Sequence, residues 1–193
     1  MNQNKKNSLP LSRRGIITAL GFGAAALMVM AAGLLIPVYG EAIRIDPREL
    51  FVTLGSALTG PIGGIIIGFM AHSWFAGEDW YFRIVSITIH VLGGLWMGIS
   101  YKKLVHEKLK MPWLLLGWIG LVFVYYFVTL FFFFVAVSHT FFPLLFEQLF
   151  GELSLGQAYI GLTTAAAPEF IATAIITTLI IIVLPPKYRR PLW

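Results

Sequence analysis

Residues 43–75, IRIDPRELFVTLGSALTGPIGGIIIGFMAHSWF, constrain this chain more than any other stretch. Arg44, Asp46, Arg48 and Glu49 crowd its start, and the sequence then turns apolar. In the middle of the apolar run stand Gly60 and Pro61, followed by Gly63, Gly64 and Gly68. An unbroken helix over 50–71 would have the length of one ordinary membrane crossing. Pro61 argues against it, because proline lacks the amide that an unbroken helix would use and suits the first turn of a new one. The residues predict two short helices folded back on each other at Gly60-Pro61.

Apolar residues make up 58% of the 193, charged residues 12%, and the mean hydropathy is +0.82, which excludes a soluble domain. The apolar runs are long and continuous, as spanning helices require, and lack the strict alternation of a membrane β-barrel. With no cysteine in the chain, disulfides, thiolate metal ligation and thiol catalysis are excluded. The net charge of +5 is no sign of nucleic-acid binding, since the basic residues flank apolar segments.

Eleven of the fourteen Lys and Arg fall in three clusters: Lys5/Lys6/Arg13/Arg14, Lys102/Lys103/Lys108/Lys110 and Lys187/Arg189/Arg190. The positive-inside rule places all three in the cytoplasm, so an even number of crossings must separate the first two. Counting 50–71 as one helix gives an odd number; splitting it gives an even one. The expected fold is therefore an all-α integral membrane protein, a single six-helix bundle with both termini cytoplasmic. Its helices run over about 15–38, 45–59, 61–76, 83–101, 113–137 and 160–184, after a basic tail over 1–14. The second and third are short, since 45–59 rises only about 22 Å at ~1.5 Å per residue, against a hydrocarbon core of ~30 Å. A twin-arginine signal is the competing account of Arg13-Arg14, but the uncharged run that follows is too long for a usual signal peptide.

This topology sends eight of the nine acidic residues outward, leaving Glu107 inside, and gathers polar groups at the outer face over 39–49, 77–83 and 138–169. Residues 138–156 are expected as an interfacial lid. Membrane binding sites need a few directed polar groups in an apolar cavity. Here Arg44, Asp46, Trp80, Arg83, His90, Thr129 and Glu169 are the candidates, between the outer halves of the last three helices. Each also has a plainer account. His90 would be hydrogen-bonded to a neighbouring helix, Arg83 an interfacial anchor, Trp80 an interface aromatic, and Glu169 a first-turn carboxylate complementing the dipole of the last helix. Tyr125 and Tyr126 straddle adjacent faces, so at most one is expected to face a given cavity. Gly15, Ala19 and Gly23 make a small-residue row that serves either internal packing or docking of another membrane subunit.

Little points to catalysis. His72, His90, His106 and His139 show no HxxxH spacing, so the sequence predicts no metal site and no cofactor, and no serine stands in a GxSxG context.

The order of basic tail, small-residue first helix (19–26), acidic-polar loop with a short helix (45–54), the turn Leu58-Thr59-Gly60-Pro61-Ile62-Gly63-Gly64 and a last helix from Pro168-Glu169 to Pro185 resembles the S components of energy-coupling factor (ECF) transporters. That resemblance implies a substrate-binding subunit for a vitamin or similar micronutrient in a bacterial or archaeal cytoplasmic membrane. It implies partnership with a transmembrane coupling subunit and two ATPases, with the Gly15/Ala19/Gly23 face in the contact. The chain has no P-loop, so ATP hydrolysis would belong to those partners and not to this protein. Residues 45–68 are also similar to the membrane input domains of LytS-type histidine kinases, which implies a ligand-sensing module as the alternative.

Overall fold

A computed structural model of the chain describes residues 13–33, 36–39, 43–73 and 80–193, with side chains for all of these except 36–39 and 43–45. The first helix, α1 (Arg13–Ala31), stops where Gly33 takes a φ of 63° and its amide bonds the Met30 carbonyl. That left-handed position is cheap for glycine and closes a helix end. The chain then becomes extended, so the first helix is shorter than the 15–38 expected. β1 (Ile36–Tyr39) pairs antiparallel with β2 (Ile43–Ile45) in a small ladder leading into α2 (Arg48–Ser73).

α2 is two antiparallel arms. Gly60, at φ 84° and ψ −171°, reverses the chain between 48–59 and 61–73. On a straight helix Glu49 and His72 would stand roughly 35 Å apart at ~1.5 Å per residue. Instead the Glu49 carboxylate lies 3.2 Å from His72 Nε2, and Arg48 Nη1 donates to the Ala71 carbonyl at 3.1 Å. The turn at Gly60-Pro61 is thus a reversal, as the proline and glycines predict.

The second arm runs along α3 (Trp80–Ser100), which continues through a π-helical turn over Tyr101–His106. Gly64 faces the backbone of Gly94, Gly68 that of His90, and Gly98 that of Gly60, so closely that a Cβ on any of the three would run into main-chain atoms. Small residues at fourfold spacing permit this approach, and in lipid such packing replaces the hydrophobic drive. On the other side lies α1. Gly15, Ala19, Gly23 and Ala26 are buried, a Cβ on Gly23 would stand 2.6 Å from Met70 Sδ, and one on Gly63 would reach 3.4 Å from Ala19. The row expected to dock a separate subunit is therefore covered by the chain's own hairpin. The small residues Ala19 and Gly23 admit the second arm of α2.

The second half is aromatic. α4 (Trp113–Val124) passes through a π-helix (Tyr125–Phe132) into α5 (Phe133–Phe141), followed by short α6 (Pro143–Phe150) and long α7 (Leu155–Val183). Trp118, fully buried, donates from Nε1 to Thr177 Oγ1 at 3.0 Å, and Tyr159 donates to the Phe127 carbonyl at 3.0 Å. The start of α7 is fixed by a capping box, in which Ser154 and Gln157 satisfy each other's main-chain amides. Glu169 thus sits mid-helix, and its expected role against the helix dipole does not apply.

Among the described residues, five helical stretches are long and apolar enough to cross a membrane, the second being the folded α2. The molecule is a multi-pass, all-α membrane bundle carrying one small β-ladder. Among the described residues, members of all three basic clusters share one end: Arg14 and Lys187 line one crevice, Tyr101 donates to the Arg189 carbonyl, and Lys102 Nζ donates to a main-chain oxygen of Trp193. The Gly60 turn lies at that end too, with Leu192 N bonded to Leu58 O at 2.8 Å.

Candidate functional site

Towards the opposite end, where the arms of α2 begin and finish, a cavity of about 260 Å³ opens in the bundle. Its apolar wall is Phe82, Ile89, Leu130, Phe131, Phe134 and Leu162, and its polar wall is Asp46, Arg48, Glu49, His72, Ser86, His90 and Glu169. Few polar groups converging in an apolar cavity are the usual make-up of a small-molecule site.

Glu49 is its centre. It stands in the first turn of α2, 3% exposed, and its Oε1 lies 3.2 Å from His72 Nε2 and 3.1 Å from His90 Nε2. Its Oε2 accepts from Tyr125 at 2.7 Å. The two imidazoles stack with centroids 3.3 Å apart and planes 15° from parallel. This stack follows from the glycines below it, since the backbone contact of Gly68 with His90 brings the end of the second arm onto α3. His90 Nδ1 lies 2.6 Å from the Ser86 carbonyl, and the Ser86 hydroxyl lies 3.4 Å from His72 Nδ1.

Around this centre Arg48 is held by Asp46, with Nε 2.7 Å from Oδ2 and Nη2 also on Oδ2. Glu169 reaches in from α7, accepting from Tyr126 at 3.1 Å and from the Asp46 amide at 3.4 Å. Tyr126 also meets Thr173 Oγ1 at 2.9 Å. Both tyrosines therefore serve the site. The π-helix that begins at Tyr125 widens the turn and carries two consecutive side chains inward, where a regular helix would separate them.

Of the residues that the sequence singles out, Asp46, His90 and Glu169 come together at the cavity. Thr129 is buried but lines a separate apolar crevice with Ile89, Leu92 and Trp96. Trp80 is 58% exposed and packs on Tyr81 with centroids 4.3 Å apart, and Arg83, partly buried, is outside the cavity lining. The Arg44 side chain lies outside the described ones. Glu49, His72, Arg48 and Tyr125 were not expected at the site. The HxxxH search overlooks them because three separate helical segments, brought together by the Gly60 reversal, supply the cluster.

No family model matches the chain, and no solved structure does. The chain is similar to a UPF0397 protein of Lactococcus lactis subsp. cremoris strain NZ9000, 30% identical over 92 residues, which are 46% of this chain and 49% of the relative. The UPF0397 protein of strain SK11 matches equally, over 47% of its length. The chain thus spans about half the length of the curated relatives it matches.

Proposed function

We propose that this protein is the substrate-binding S component of an ECF-type importer, capturing a small, polar micronutrient in the cavity around Glu49. The observation that carries this reading is the cavity itself. Three carboxyl groups, a guanidinium and two imidazoles converge there against phenylalanine and leucine, at the end of the bundle away from the basic clusters. A small solute that takes up carboxylate and imidazole groups suits the polar wall. The basic clusters at the other end agree with cytoplasmic termini and an outward-facing cavity.

The proposed partners are a transmembrane coupling subunit and two ATPases. With Gly15, Ala19 and Gly23 buried, the coupling subunit would meet the outward face of α1, where Ile17, Leu20, Gly21 and Met28 are exposed. Co-expression with such a coupling module should yield a complex that imports the captured compound only with active ATPases. Recovery with a signalling kinase, and with no ATPase, would select the sensory alternative.

A further inference from the structure

We infer that Glu49, His72 and His90 bind a divalent first-row transition-metal ion, which is what the cavity captures. This rests on the binding role proposed above and names its ligand class. Glu49 Oε1, His72 Nε2 and His90 Nε2 lie within 4.8 Å of one another, all three residues buried. The two edges between Glu49 and the histidines, 3.2 and 3.1 Å, fall between those of tetrahedral and octahedral ligands around such an ion, about 3.3 and 2.9 Å for bonds of ~2.0–2.1 Å.

Hydrogen bonds would give similar distances, so the protons must decide. A carbonyl only accepts, so at 2.6 Å from Ser86 O the His90 Nδ1 carries a proton. A neutral His90 then turns the lone pair of Nε2 towards Glu49 Oε1, acceptor against acceptor. The Ser86 hydroxyl beside His72 Nδ1 permits the same arrangement in the stacked ring. A cation between the three atoms would take the Glu49 charge and the Nε2 lone pairs of both rings once the imidazoles, stacked 3.3 Å apart, turn those atoms towards it.

The outer partners are those of a metal centre. Ligand histidines usually give their other N–H to a carbonyl or hydroxyl, and ligand carboxylates are themselves hydrogen-bonded. Here Ser86 serves both rings and Tyr125 serves Glu49. Arg48 already matches Asp46, so the carboxylate of Glu49 is the charge that the donor set offers a cation. Imidazole and carboxylate donors favour Zn²⁺, Ni²⁺, Co²⁺ or Fe²⁺ over Mg²⁺ or Ca²⁺. Three protein donors leave positions facing the cavity, open to water or to a donor atom of a small molecule.

The test is titration of the tag-free, chelator-treated protein in detergent with Co²⁺, followed by visible absorption, alongside Ni²⁺, Zn²⁺ and Mg²⁺ by calorimetry. One equivalent should bind, with Mg²⁺ not competing. His72→Gln and His90→Gln should each weaken binding more than about 100-fold, and Tyr125→Phe by about 10–100-fold. His106→Gln and His139→Gln, in histidines outside the cavity, should change nothing. Added imidazole should alter the bound Co²⁺ spectrum; an unaltered spectrum means a closed structural site and overturns capture. Absence of stoichiometric binding by the folded wild-type protein overturns the site itself. Stoichiometric binding by a protein that assembles with no coupling module would leave the metal site standing and remove the importer.

Discussion

Glycine positions that look alike in sequence carry opposite demands. Gly21 has open space where a Cβ would be, whereas Gly23, two residues on, faces Met70. Gly21→Leu should therefore leave the melting temperature of the detergent-purified protein unchanged and impair only assembly with a coupling subunit. Gly23→Leu should destabilise by about 1–3 kcal/mol through overpacking, seen as a lower melting temperature without any partner present. At the cavity, Glu169→Gln keeps an acceptor for Tyr126 but removes the carboxyl group. If a cationic or hydrogen-bonding ligand lies against it, affinity should fall by roughly 1–3 kcal/mol in a binding titration, with stability little altered. Individual residues were only partly legible in the sequence. His90 stands out as a polar group within an apolar helix, but Glu49 is one of four charges crowding the start of the hairpin, and only the fold puts it under two imidazoles.

At the scale of elements, the hairpin is the device on which the site depends. Gly60 holds a positive φ with an extended ψ, a region nearly confined to glycine that costs other residues about 1–3 kcal/mol, and a Cβ there would also run into the Trp193 ring. Gly60→Ala should lower thermal stability by more than that strain alone, and should separate Glu49 from His72, weakening whatever the cavity holds. A variant of unchanged melting temperature and binding would mean that the reversal tolerates a side chain. This reversal could be read from the sequence because proline and glycine act through local backbone chemistry. The π-helix at Tyr125 could not, since nothing local in YYFVTLFF distinguishes it from a regular helix. The mid-helix place of Glu169 is hidden for a related reason: Pro168 resembles a helix start, and only the Ser154–Gln157 capping box, well upstream, marks the true one.

At the scale of the molecule, the gathering of basic residues at one end predicts which surfaces face which compartment. The chain has no cysteine, so single cysteines are its only thiols. Lys108→Cys should resist an impermeant thiol reagent on intact cells, while Glu152→Cys, exposed before α7, should react. Ready labelling at position 108 would refute six crossings. The two halves of the bundle also differ in how they meet their neighbours. The folded α2 and α3 touch through glycines, backbone on backbone, while α4 to α7 meet the rest through rings such as the Phe82–Phe134 pair, with centroids 5.6 Å apart. Rings can swing; abutting main chains cannot. The cavity is in effect a clamp with one fixed jaw, which carries Glu49 and both histidines, and one yielding jaw, which carries Tyr125, Tyr126 and Glu169. If the cavity fills as proposed, the aromatic side is the one expected to give way, so that the speed of capture and release would belong to the phenylalanines and its selectivity to the glycine-built half.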